Sequence, residues 1–297
     1  MRSIGKCSNC NSTTSVKKEN NKVKEKGSLR AYAASVLVGS VLAKPVSDVV
    51  SKGMDFANKN LSAEQVKKIN DVADKVLIDS GLAKKGVKIV NAANKKVEST
   101  GNIIIDKFFN SDKSVIKGTN AYYNFVKKEI FINRDKFSAA TFHEMGHAFN
   151  SQISKLANNM FKMKILMLII PSAISLFAAF SKNAEPEDGK ELTKLQKTKN
   201  FVRKNAGFIA GLSMVPYAAE EILASVRGSK LANANLPKEL AKIVKMTNTG
   251  SALSYITLVV FSGLGAYTAT KVKDFIMAKQ KAQSEASQNN DMQTQEK

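Results

Sequence analysis

Hydrophobic positions along the chain follow two rhythms. In SAEQVKKINDVADKVLIDSG (62–81), Val66, Ile69, Val72 and Val76 keep helical spacing, Ser62 and Gln65 fit a capping box, and Gly81 marks a stop. Beyond it the texture changes. GVKIVNAA, NIIIDKFF, NAYYNFV and EIFIN are short runs rich in β-branched and aromatic residues, which predict strands. Lys127 and Lys128, between the last two runs, are placed for a tight hairpin turn. Asp135 is placed to cap a helix beginning near Lys136. The expected fold class is α+β: a small antiparallel sheet leading into a helix, followed by a predominantly helical C-terminal half.

That second half contains three uncharged stretches, 165–181, 205–219 and 246–270. A membrane-spanning helix needs roughly 17–25 apolar residues. The third stretch has the length, although its start is polar. The first is at the lower limit and contains Pro171, which membrane helices tolerate. The second is short and interrupted by glycine. Buried helices of a soluble domain would be the alternative, but KILMLIIPSAISLFAAF lacks the polar face such helices carry. An earlier run, AYAASVLVGSVLA (31–43), is short for a span and fits a buried or interfacial helix. Lysines and arginines flank both ends of the first stretch, so charge does not set an orientation.

These patterns divide the chain into a disordered basic tail (1–30), a helical and mixed region (31–118), a core (119–232) interrupted by a hydrophobic hairpin (about 165–219), a C-terminal membrane-helix region (233–278) and a second disordered tail (279–297).

Composition sharpens the picture. The 297 residues are 43% hydrophobic, enough for a sizeable core, and carry a formal net charge of +21. Such a charge suits nucleic acid or an anionic membrane surface. The lysines are dispersed and no nucleic-acid-binding motif stands out, so a lipid bilayer is the expected partner and nucleic acid is not. Cys7 and Cys10, the only cysteines, exclude a disulfide framework and supply at most half a zinc site.

The candidate chemistry lies in TFHEMGHAFN (141–150), which holds both histidines of the chain. Four residues apart on a helix, His143 and His147 share a face and can offer two imidazole nitrogens to one ion. Phe142, Met145 and Phe149 lie on roughly the opposite face, suited to a core. Glu144 stands beside the histidines, where an H-E-x-x-H motif places the general base acting on a zinc-bound water. A catalytic zinc needs a third protein ligand. No third histidine exists, so it must be a carboxylate, and PYAAEEILASVRG (216–228) offers Glu220 and Glu221. Acids there also suit a helix N-terminus.

HEMGHA followed far downstream by EILASVR resembles the integral-membrane gluzincins, the HtpX and CAAX-prenyl-protease type, and more closely the YugP-like neutral zinc metallopeptidases. The resemblance covers about residues 115–230. It implies a zincin-like core holding one Zn2+ per chain through His143, His147 and Glu221, with Glu144 as base. Ala224, Ser225 and Arg227 continue the match, Ser225 standing where the HtpX and CAAX relatives usually have Asp. GTNAYYNF resembles a segment that such proteins place before the active helix, which implies that Asn120, Ala121 and Tyr122 align substrate by β-addition. Some relatives use a further active-site histidine. This chain has none, leaving Arg227 or Tyr217 to stabilise an oxyanion.

The register agrees with local spacing. Ala218, Ala224 and Ser225 share the face of Glu221 and are small, allowing close approach to the histidine helix, while Glu220 is free to serve the helix N-terminus. The chain thus reads as a zinc metalloendopeptidase, integral to a membrane of the bacterial cytoplasmic type, that cleaves protein or peptide substrates. The alternatives are a catalytically silent gluzincin-like membrane scaffold, and a basic structural or nucleic-acid-associated protein in which the motif is chance.

Overall fold

The computed structural model describes residues 27–41, 43–93, 95, 111–186 and 190–295. Cys7 and Cys10, the strand expected in NIIIDKFF (102–109) and most of the N-terminal tail lie outside the described residues. The chain divides into two compact units.

One unit, residues 43–168 and 214–259, carries a sheet. It opens with α2 (Ala43–Lys59) and α3 (Ala63–Asp79). The expected capping box forms at α3: the Ser62 hydroxyl accepts from the Gln65 amide and the Gln65 side chain accepts from the Ser62 amide. The helix ends at Ser80, and Gly81 takes a φ of 75°. Strand β1 (Lys88–Asn91), helix α4 (Ser111–Lys117), β2 (Ala121–Asn124) and β3 (Glu129–Ile132) follow.

The sheet order is β1-β3-β2. The expected antiparallel hairpin joins β2 to β3, with Tyr122 opposite Phe131. Its turn contains Lys128 at a φ of 55°, and the Asn124 carboxamide oxygen accepts from the amides of Val126 and Lys127. Strand β1, however, pairs with β3 in parallel. The sheet is therefore mixed, because a long connection that includes α4 returns the chain in the same direction. Strand alternation separates two layers of packing. Ile130 and Ile132 enter the main core with Ile69, Leu82, Phe142 and Met145, whereas Phe131 packs with Ala92 and Val115.

After β3 the cap differs from expectation. Asn133, not Asp135, accepts from the amides of Asp135 and Lys136, since an Asn side chain readily bonds backbone two or three residues on. A turn and a short 3₁₀ segment, Ser138–Ala140, then lead into α5 (Thr141–Ile153). Helix α6 (Lys155–Lys162), the start of α7 (Lys164–Phe180), α10 (Val215–Asn235) and the start of α11 (Lys238–Gln295) complete this unit.

The other unit comprises residues 1–42, 169–213 and 260–297. Its helices are α1 (27–36, continuing into a π-turn at Leu37–Val41), the remainder of α7, α8 (Lys194–Lys204), α9 (Ala206–Ser213) and the remainder of α11. Its core is made of alanines: Ala31, Ala178, Ala179, Ala206, Ala210, Ala266 and Ala269. Glycines bring backbones close. A Cβ at Gly207 would lie 2.9 Å from the Gly263 carbonyl oxygen, and one at Gly265 would lie 3.0 Å from that of Ser35. Buried cations here are partnered: Arg203 pairs with Asp274 at 2.6 Å, and the Lys273 ammonium donates to the Ser28 hydroxyl at 2.7 Å.

Among the described residues three helices are long and apolar enough to cross a membrane: Gly27–Lys59, Ala206–Asn235 and Lys238–Ser287. Ile169–Phe180 is a shorter apolar helix. The run at 31–43 thus belongs to a longer helical segment than expected, and the 205–219 stretch continues through α10. Residues 279–295, expected as a tail without order, extend α11 as helix. The reason is local: alanine, lysine, glutamine and glutamate favour helix, and there is no Pro or Gly after Gly265 to end it.

Candidate metal centre

The site is built by two crossing helices. On α5, Phe142, Met145 and Ala148 are fully buried in the main core, and this fixes the rotation of the helix. His143, Glu144 and His147 line a cavity of about 270 Å³. Helix α10 crosses α5 at backbone contact. A Cβ on Gly146 would run into the carbonyl of Ala224, and one on Gly228 into the carbonyl of Phe142. The glycine inside the histidine motif therefore has a structural role: it lets α10 come close enough to bring a carboxylate to the imidazoles.

That carboxylate is Glu221. The Nε2 atoms of His143 and His147 are 3.2 Å apart. Glu221 Oε2 lies 3.4 Å from the first and 3.2 Å from the second. Ligands about 2.0–2.1 Å from a tetrahedral ion are separated by about 3.3 Å, so the three atoms already stand as such a set would. Glu221 Oε2 is buried and has no hydrogen-bond partner among the described residues. A buried carboxylate oxygen left in this way, facing two imidazole nitrogens, fits a cation. A His/Glu triad in this chain could therefore hold a metal ion.

Among the described residues two groups that could hold a metal ion share His147, one with His143 and Glu144 and one with Glu220 and Glu221. The ring nitrogens separate the roles of the two adjacent glutamates. Glu220 Oε1 lies 2.9 Å from His147 Nδ1, on the side of the ring away from the Nε2 triad. Glu220 does not serve the helix N-terminus as expected. Helix α10 begins at Val215, a turn earlier than the acids alone would suggest, so Glu220 sits in its second turn and is completely buried. It accepts from the Asn150 side chain at 2.7 Å, and Arg227 in turn donates to Asn150 Oδ1. His143 has a corresponding support: the Ser225 hydroxyl lies 3.2 Å from its Nδ1. With each Nδ1 held by an oxygen that can accept its proton, each Nε2 lone pair is directed at the common point.

Lys164, noted in the sequence only as a flanking charge, completes the arrangement. Its ammonium lies 2.7 Å from Glu220 Oε2 and 2.6 Å from Glu221 Oε1, and 5.1 Å from the centre of the Tyr217 ring. Burial works against its charge, but the two carboxylates outweigh that and raise its pKa. Burial likewise opposes a charge on His147. Glu221 and Glu220 prevail over it, and over the opposing Lys164, and hold the imidazole up to about 10. Such a site attracts positive charge, and metal binding would displace the proton.

The cavity brings in most of the other residues singled out in the sequence. Asn120, Ala121 and Tyr122 line it, and among the described residues β2 is an edge strand. Tyr217 lines it too, with Tyr255 from α11 packed against its ring at 5.1 Å. Arg227 is not among the lining residues; its guanidinium is engaged with Asn150. Tyr255, Ser251, Asn150 and Lys164 were not legible as site residues, because nothing in their sequence neighbourhood distinguishes them from ordinary helix residues.

No family model, curated protein or solved structure matches the chain. The histidine-bearing helix and the converging glutamates form a buried His/Glu cluster that could hold a metal ion and suggests a zincin-like site.

Proposed function

We propose that the chain is a membrane-bound zinc endopeptidase of the gluzincin type, with His143, His147 and Glu221 as the ligands. The observation that carries this reading is the convergence of two Nε2 atoms and one unpartnered carboxylate oxygen at 3.2–3.4 Å beside Glu144. Two imidazoles and a carboxylate suit zinc. A bound zinc would lower the pKa of a water to about 7 and polarise a substrate carbonyl.

The chain's own groups do the rest. Glu144 lines the same cavity and is not needed as a ligand, so it serves as the base that takes the proton of the attacking water and passes it to the leaving nitrogen. Among the described residues β2 lies at an edge of the sheet, so backbone groups at Ala121 and Tyr122 would be offered to an extended peptide. With no further histidine in the chain, Tyr217, which lines the cavity, would steady charge developing on the carbonyl oxygen. Glu220 and Ser225 keep the imidazoles oriented.

The membrane part of the proposal is supported by the three long apolar helices and by the alanine core of the helical unit, whose larger side chains point outward.

The test combines metal analysis with a peptidase assay of the full chain in detergent micelles. Wild type should hold about one zinc, the stoichiometry of one such site. Glu144→Gln should keep the zinc and lose about 10²-fold or more in activity, as when a general base is removed. Zinc without any cleavage in wild type would favour a silent scaffold that keeps the fold and the metal. Undiminished zinc in His143→Ala would overturn the site itself.

A further inference from the structure

Three carboxylates, Glu144, Glu220 and Glu221, are buried around this site. Buried charge is tolerated only when it is paired. A divalent cation at the triad supplies two positive charges and leaves one unmet. Lys164 is the side chain whose ammonium bridges two of the three, at 2.7 Å from Glu220 Oε2 and 2.6 Å from Glu221 Oε1.

The choice of oxygen matters. Lys164 takes the Glu221 oxygen that does not face the histidines, while Oε2 is the one 3.2 and 3.4 Å from the imidazole nitrogens. A carboxylate with one oxygen engaged by an ammonium presents only the other to an ion. Without that engagement, both oxygens are available and two-oxygen binding raises the coordination number. The position of the ammonium is itself constrained: Lys164 is the first residue of α7, and its Nζ stands over the Tyr217 ring at 5.1 Å.

We infer that Lys164 is a positioning residue, which holds Glu221 to a single metal-facing oxygen and balances the second glutamate, Glu220. The inference rests on the metal reading given above. It assigns to this lysine a role opposite in sign to that of a ligand. Its charge repels the ion, so it limits affinity while it sets geometry.

Cobalt(II) titration of the full chain in detergent, followed by visible absorption and by competition with a chelator, tests this. Four-coordinate cobalt absorbs more strongly than five-coordinate cobalt. Lys164→Met should bind cobalt at least as tightly as wild type, with weaker visible absorption as Glu221 engages through both oxygens. Lys164→Arg should keep the wild-type spectrum. If Lys164→Met does not fold, as judged by far-ultraviolet circular dichroism, Lys164→Ala is read in the same way. A Met or Ala variant that binds one cobalt with the wild-type spectrum overturns the inference and leaves the metal reading intact. Loss of fold in both variants, with fold restored by Arg, makes Lys164 a structural charge partner only and also overturns it. Wild type that binds no cobalt overturns both readings. A merely structural lysine would lower affinity on removal, and would not change the spectrum at equal or higher affinity.

Discussion

The two units bury opposite kinds of side chain. The sheet-bearing unit packs Ile69, Leu82, Ile130, Phe142 and Met145 inside. The helical unit packs alanines inside and presents Leu37, Ile169, Phe208 and Val260 outward, each more than half exposed. In water the first arrangement is stabilised by removing large apolar surface from solvent. The second gains little in that way. Small residues let helix backbones approach, and contact replaces hydrophobic transfer as the source of cohesion, as in a bilayer. The difference teaches that one chain can follow two packing rules, and that the boundary between them is read from side-chain size at buried positions rather than from hydrophobicity alone.

The comparison also bears on the metal centre. The residues proposed as its ligands all belong to the sheet-bearing unit, where the core anchors α5 and the glycine contacts anchor α10. Removing a ligand should have the largest effect. Glu221→Ala should lower zinc affinity by more than the 10–100-fold typical of a supporting residue, whereas Glu220→Ala should fall within about that range. Chelator competition on the two variants measures both, and equal losses would contradict the separation made by the His147 ring nitrogens.

A direct contrast between the units comes from matched surface substitutions. Phe208 is 71% exposed on the helical unit and Ile78 is 63% exposed on the sheet-bearing unit. If the first faces lipid and the second water, Phe208→Lys should cost about 3 kcal/mol in membrane insertion. Ile78→Lys should stay within about 0.5 kcal/mol. Glycosylation-site insertion assays for the first, and thermal unfolding for the second, provide the numbers. A neutral Phe208→Lys would place the helical unit in water.

Gly146→Ala should destabilise by about 1–3 kcal/mol, because its new methyl group meets the backbone of α10, which cannot swing aside as a side chain could. The same change at Gly53, where a Cβ meets nothing within 4 Å, should be neutral or slightly stabilising by about 0.5–1 kcal/mol, the ordinary preference of a helix for alanine. Thermal unfolding of both variants in the same detergent tests the pair, and equal effects would show that the helix crossing does not depend on Gly146.

How much of this was legible beforehand depends on the range of each interaction. The α3 capping box, the β2–β3 hairpin and the shared face of His143 and His147 are local, set within a few residues by helical pitch or strand alternation, and the sequence determined them by itself. The choice of Glu221 over Glu220 was implied by the resemblance of EILASVR, with the small neighbours on its face in agreement, and Glu221 Oε2 is the carboxylate oxygen found 3.2–3.4 Å from the two imidazole nitrogens. Where chain returns from a distance, pattern had nothing to read. The parallel addition of β1 to β3 is such a return. The cap at Asn133 and the helical course of 279–295 also differ from expectation, but both rest on local chain: an Asn side chain bonding amides two and three residues on, and a run of helix-favouring residues. Glu220 was assigned to a helix end and instead holds His147, because only the crossing of α5 and α10 shows which atoms face one another. Lys164 is separated from the glutamates it joins by 57 residues in the case of Glu221. A side chain's charge is written in the sequence. Which opposite charge it meets is set by the packing of backbones, and in this protein that packing was decided by where glycine allows two helices to touch.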